Sequence, residues 1–140
     1  KEQIKEIKKT VTHIAKKHDE EPYKALATTQ QAIFHQLEEQ DEIDAAAIFD
    51  KVFEEKPLAR EAAQLAITEE RVPEKIAVTN VPKYERKYSK QKFKLDNGIE
   101  ITIPSEIYEN KEMVEFINNP DGSVSVLIKN IESILNKFNA

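Results

Sequence analysis

Chemistry in a protein needs particular side chains at particular spacings, and the richest such cluster in this chain is cationic. Lys83, Arg86, Lys87, Lys90, Lys92 and Lys94 fall within twelve residues that hold a single acid, Glu85, and Tyr84, Tyr88 and Phe93 interleave with them. Basic groups of this density neutralise phosphates and release condensed counterions, while interleaved rings can stack on exposed bases. The same pattern also suits a solvated strand edge, where Lys blocks sheet-to-sheet association.

The other candidates for chemistry point nowhere. The three histidines are His13, His18 and His35. His13 and His18 are five apart, about 140° around a helix, which is poor for joint ligation of an ion. Asp41, Glu42 and Asp44 lack the glycine and distal glutamate of a calcium loop and read as a helix start. Ser105 has no glycine elbow around it. Lys94, Asp96 and Glu100 loosely mimic a nuclease trio, but a hairpin accounts for them as a turn residue and a cross-strand ion pair. With no cysteine there is no disulfide, thiolate ligand or thiol nucleophile, and 2 glycines cannot build a phosphate-cradling loop. The expectation is no catalytic site, no metal and no cofactor.

The cluster sits in a chain of 140 residues with a net charge of −5, 39% hydrophobic and 34% charged. That length supports one domain or two small subdomains. The charge is blocked: residues 1–18 carry six Lys and two Glu, residues 71–94 carry eight basic and two acidic groups, and acids dominate 19–70 and 95–140. Such blocks create local fields that the net charge conceals. No secretory leader pattern is present and no apolar run approaches the roughly 20 residues of a membrane span, so a cytoplasmic protein with no membrane partner is expected. The chain opens on Lys1 within an apparent helix, and reads as a piece of a longer protein.

The elements that must position the cluster follow from periodicity. Ile4, Ile7, Val11, Ile14 and Ala15 make one helical stripe. Pro22 opens a second helix with Tyr23, Leu26, Ala27, Ile33, Phe34 and Leu37 along one side. Asp41 is expected to cap a third, carrying Ile43, Ala47, Ile48 and Val52, and Pro57 opens a fourth with Leu58, Ala62, Leu65 and Ala66 inward. No segment before Val72 alternates at period two, and Lys75 to Thr79 is a possible strand.

Beyond the cluster the period changes. Phe93, Leu95, Ile99, Ile101 and Ile103 occupy odd positions. A three-residue loop at Asp96-Asn97-Gly98, with Gly98 left-handed, pairs Leu95 with Ile99, Phe93 with Ile101 and Lys94 with Glu100. Asn119-Pro120-Asp121-Gly122 repeats the device, setting Phe116 opposite Val126 and Val114 opposite Ile128. Leu95 and Phe116 are expected on buried faces, while Ile117 and Leu127 lie on a second apolar face that must meet the helices or another subunit. Asn130 is expected to cap a last helix with Ile131, Ile134, Leu135 and Phe138. The fold class is α+β: N-terminal helices, then an antiparallel sheet of two hairpins and a C-terminal helix, divided as residues 1–72 and 73–140.

The run Phe93-Lys94-Leu95-Asp96-Asn97-Gly98-Ile99-Glu100-Ile101-Thr102-Ile103-Pro104 resembles the late region of the bacterial nucleoid-associated protein family of the nucleoid-associated protein A type. Asn119-Pro120-Asp121-Gly122-Ser123-Val124-Ser125-Val126-Leu127-Ile128-Lys129-Asn130-Ile131 is similar to its closing hairpin and helix, and the helix around Asp44, Ala45, Ala46, Ile48, Phe49, Val52 and Phe53 to one upstream. The resemblance spans most of the chain as the C-terminal part of a longer protein. It implies a cytoplasmic protein of the nucleoid that binds DNA, without enzyme activity or cofactor. Two functions follow. One is DNA association without sequence preference through Lys83, Arg86, Lys87, Lys90, Lys92 and Lys94, extended by Lys5, Lys8, Lys9 and Lys16 of the first helix. The other is a protein-interaction or homodimerisation module whose DNA contacts lie elsewhere. Placement discriminates them: a basic stretch sharing a face with the first helix favours DNA, and one covered by acidic residues 38–55 favours interaction.

Overall fold

A computed structural model describes residues 2–139. The chain is α+β: six helices and three two-stranded antiparallel sheets among the described residues. It divides into two compact units, Lys1–Ser89 and Lys90–Ala140.

In the first unit, α1 (Glu2–Lys17) buries Ile4, Ile7, Val11, Ile14 and Ala15, the stripe read from the sequence. Helix α2 (Pro22–Glu39) packs on it through Ala25, Ile33 and Leu37. The chain then departs from expectation. Asp41 caps no helix; Glu42–Asp44 form a strand, β1, and the cap is Asp44, whose side chain accepts from the Ala47 amide at 3.1 Å. A three-residue strand is too short for its alternation to show against a following helical stripe. Its partner is β2 (Lys75–Ala77), with Ile43 opposite Ile76, both buried. Lys75 bridges the exposed side to Glu42 at 3.5 Å and Asp44 at 3.7 Å. Those carboxylates, Glu42 foremost, raise the Lys75 pKa. On the other edge of β1, the Gln36 amide accepts from the Asp44 N–H at 2.8 Å and donates to its carbonyl at 3.2 Å, while Gln40 donates to the Glu42 carbonyl at 2.9 Å.

Helix α3 (Ala45–Val52) sends Ile48, Phe49 and the following Phe53 fully into the core. Helix α4 (Pro57–Thr68) begins at its proline but is turned from the expected face. Ala66 is buried as expected, but Ala59 and Ala63 join it in the core, whereas Leu58 is 71% and Leu65 49% exposed. Alanines let the helix backbone come close to the core, so shape outweighs side-chain hydrophobicity here. Both α1 and α4 end with an acidic residue in the left-handed region, Asp19 (φ 57°) and Glu70 (φ 62°). The next amide reaches back to a helix carbonyl in each case, Glu20 to Ala15 at 2.9 Å and Arg71 to Ala66 at 2.9 Å. Helix α5 (Val81–Tyr88) closes the unit against α2.

The second unit is built on the two hairpins. Strands β3 (Lys90–Lys94) and β4 (Glu100–Pro104) pair Phe93 with Ile101 and Lys94 with Glu100, and the Leu95 amide donates to the Ile99 carbonyl at 2.8 Å. After α6 (Ser105–Tyr108), β5 (Val114–Asn118) and β6 (Val124–Ile128) pair Phe116 with Val126 and Val114 with Ile128. Gly98 (φ 93°) and Gly122 (φ 90°) hold the left-handed positions that the register required. Phe93, Tyr108 and Phe116 join the hairpins, with ring centroids 5.0–5.8 Å apart. Leu95 and Phe116 are half-buried rather than enclosed.

Three details differ from expectation in this unit. The hairpins form separate two-stranded sheets. No salt bridge joins Lys94 to Glu100, because two exposed side chains gain little from holding one geometry. And the C-terminal helix is absent: Asn130 takes φ 58°, and the described residues after β6 form no helix, leaving Ile134, Leu135 and Phe138 more than 80% exposed. An eight-residue helix without a surface for its apolar face is not stable alone.

Candidate nucleic-acid interface

The twelve-residue basic stretch is neither a linker nor one element. Lys83, Arg86 and Lys87 lie on α5 in the first unit, and Lys90, Lys92 and Lys94 on β3 in the second. Helix α5 starts where the Asn80 side chain accepts from the Lys83 amide at 3.3 Å, with Pro82 in its first turn. Val81, Tyr84 and Tyr88, at i, i+3 and i+7, pack against the core. Lys83, Arg86 and Lys87 are therefore left on the exposed face. On β3, strand alternation sends Lys90, Lys92 and Lys94 to one exposed side, and Gln91 and Phe93 to the other.

The aromatic residues are occupied. Tyr84 and Tyr88 stack on each other at 6.3 Å, and Gln30 donates to the Tyr88 carbonyl at 3.2 Å. Burial, with a smaller push from Tyr84, raises the Tyr88 pKa. Phe93 belongs to the ring cluster of the second unit. The stacking platforms expected from the interleaved pattern are thus packing residues. Two of them also steady the cations, since the Lys83 and Lys87 ammonium groups lie 5.7 Å from the Tyr84 and Tyr88 ring centroids.

Among the described residues, Lys83, Arg86, Lys87, Lys92 and Lys94 form no salt bridge. Five of the eight acids of residues 38–55 are engaged elsewhere: Glu38 with His35, Glu42 and Asp44 with Lys75, Glu54 with Lys51, and Asp50 with the Gln64 amide. On α1, Lys5 and Lys9 each have a neighbouring glutamate, Glu2 at 4.0 Å and Glu6 at 3.6 Å, while Lys8 and Lys16 are exposed. Both α1 and α5 pack on α2. No group of three or more His, Asp or Glu side chains is gathered to hold a metal ion, and no helix is long and apolar enough to cross a membrane, among the described residues.

A family model described as nucleoid-associated protein YejK matches residues 1–136. The chain belongs to this family. No curated protein and no solved structure matches it. A nucleoid-associated family agrees with the resemblance carried by the two hairpins and the α3 segment.

Proposed function

We propose that the chain is a non-enzymatic, cytoplasmic component of the bacterial nucleoid that associates with DNA through backbone electrostatics, with Lys83, Arg86, Lys87, Lys90, Lys92 and Lys94 as its contacts. The observation that carries this reading is the absence of a salt bridge at five of those six residues among the described residues, in a chain whose net charge is −5. Cations left unpaired in an acidic protein are available to phosphates. With the rings turned inward, neither the α5 nor the β3 cations are accompanied by a group that reads bases, so sequence preference should be slight.

The test is fluorescence anisotropy of a labelled duplex titrated at several salt concentrations, on this chain and on the longer protein if one exists. Affinity should be about micromolar or weaker and fall with salt at a slope near −0.9 per phosphate neutralised. Each Lys→Ala change should weaken all duplexes alike and reduce the slope by about one. Unchanged binding after charge reversal at Lys87 and Lys90 would refute the assignment.

One observation favours the second reading, an interaction or dimerisation module. Val124, Leu127, Ile128, Ile131, Ile134, Leu135 and Phe138 are all at least 40% exposed within 15 residues. Apolar surface of this density marks protein contacts. Sedimentation of the native chain beside I134E and F138E separates the readings: self-association lost in the variants, with DNA binding unchanged, supports the module.

A further inference from the structure

A cleft of about 400 Å³ lies between α1 and α4, wholly within the first unit. It combines two surfaces. One is cationic and hydrogen-bonding: Lys9, Lys17 and Arg71, with the imidazoles of His13 and His18. The other is apolar: Ile14, Ala62 and Leu65. No acidic residue lines it. Glu6 and Glu69 lie alongside, paired with Lys9 at 3.6 Å and with Arg71 at 2.9 Å, and Lys17 has no salt bridge among the described residues.

Three features make this more than a crevice between helices. Leu65 is 49% exposed on a helix whose alanines face the core, so its side chain is displayed toward the cleft instead of packed. Two lining residues have their main chain held in place: the Arg71 amide donates to the Ala66 carbonyl at 2.9 Å, and the His18 carbonyl accepts from the Lys56 ammonium at 2.8 Å. And the volume falls in the range of small-molecule sites, which are about 300–1,000 Å³ and pair apolar walls with a few polar groups.

We infer that this cleft binds a small phosphate ester of nucleotide size, its phosphate met by Lys17, Arg71 and Lys9 and its ring lying on Ile14, Ala62 and Leu65. Phosphate chemistry follows from Lys17, which has no salt bridge among the described residues, joined by Lys9 and Arg71, whose exposed partners Glu6 and Glu69 lie outside the lining and must yield to the ligand, since guanidinium and ammonium groups are the usual partners of phosphate oxygens. The need for a ring follows from the apolar wall, which inorganic phosphate alone would leave wet. The same phosphate chemistry is offered by a strand of DNA, but a concave site with an apolar floor suits a free ligand better than a duplex backbone. The site is independent of the α5 and β3 cations, so either assignment can fail without the other.

The experiment is a titration of the full chain with AMP, adenosine, inorganic phosphate and a short duplex, followed by amide chemical shifts at Lys17, Leu65 and Arg71. AMP should move these signals, and bind at least tenfold more tightly than adenosine or phosphate, a gap of about 1.4 kcal/mol. K17E and R71E should each weaken AMP at least tenfold, L65S should narrow the gap between AMP and phosphate, and K87E should leave AMP binding unchanged. Amide spectra confirm that each variant keeps its fold; all four positions are exposed. The inference is overturned if AMP leaves the cleft signals unmoved at millimolar concentration, if phosphate binds as tightly as AMP, or if K17E and R71E weaken the duplex but not AMP.

Discussion

Replacing Gly98 by alanine isolates the energy of one backbone conformation. Gly98 has φ 93°, closes a loop in which its amide donates to the Leu95 carbonyl at 3.1 Å, and an added Cβ would meet no atom within 4 Å. Steric collision therefore contributes nothing beyond the residue's own backbone. An L-residue in the left-handed region costs about 1–2 kcal/mol. Against this, alanine reduces the freedom of the unfolded chain, which returns about 0.4–1 kcal/mol. The expected loss is about 1 kcal/mol, confined to the second unit. With an unfolding entropy of about 2.1 cal/mol/K per residue over roughly 50 residues, that loss lowers the midpoint by about 10 °C. The chain has no tryptophan, so the assay is urea or thermal unfolding followed by residue-resolved amide signals of β3–β6, with α1–α4 as an internal control. Gly98→Asn should cost less, because asparagine visits the left-handed region. A G98A variant as stable as the parent would refute the positive φ. A loss above about 3 kcal/mol would refute the open space around the residue, since backbone alone does not supply it.

The matched Gly122→Ala change should behave alike, as its φ is 90° and its surroundings are equally open; a loss differing by more than about 1 kcal/mol would break the equivalence of the two turns. Phe49→Ala removes a fully buried ring and should cost about 3–5 kcal/mol in the first unit, read by loss of α1–α4 amide protection. Asp121, whose carboxylate accepts from the Ser123 amide at 2.9 Å, has its pKa lowered by Ser123, and Glu115 has its pKa lowered by Lys129 at 2.7 Å. A depressed folded pKa contributes stability that is present above the unfolded value and lost as pH falls through the folded one. The second unit should therefore weaken on acidification below about pH 4, and less so in D121N. Ending the chain at Asn130 removes a segment whose described residues, 131–139, are all exposed, and should change stability by less than about 0.5 kcal/mol in thermal melts.

The hairpins were legible because their signals are local and mutually binding. Two glycines and a period of two fix loop length, register and facing pairs together, and a one-residue slip would invert every side chain. The α1 stripe was legible for the same reason at period 3.6. Elements decided by packing were not. Helix α4 offers either a leucine or an alanine face to the core, and the sequence alone favours the leucines; Ala66 was legible, but only a close approach of helices selects Ala59 and Ala63 over Leu58 and Leu65. The strand at Glu42–Asp44 exists because β2, some 30 residues on, completes it. The apolar spacing from Ile131 to Phe138 is helical, but spacing supplies no surface to bury against. As for the candidate sites, the cations of α5 and β3 stood out as a run in the sequence. Lys17 and Arg71 meet only through the packing of α1 and α4, and no local pattern joins them.

The glutamines beside β1 carry a consequence for life at high protein concentration. In the β1–β2 ladder the main-chain groups of Asp41, Ile43 and Ala45 face β2, as the bonds from the Val78 amide to Asp41 and from the Ala45 amide to Glu74 show. Those of Glu42 and Asp44 consequently point away, toward what would be an open template for a foreign strand. Gln36 and Gln40 occupy three of those four groups, the Asp44 N–H and carbonyl and the Glu42 carbonyl, with side-chain amides, which offer the same donor and acceptor groups as a peptide but cannot propagate. The first unit thereby ends its two-stranded sheet without a third strand and without recruiting one from a neighbouring molecule. At high protein concentration such a seal keeps neighbouring copies from pairing edge to edge into a fibre.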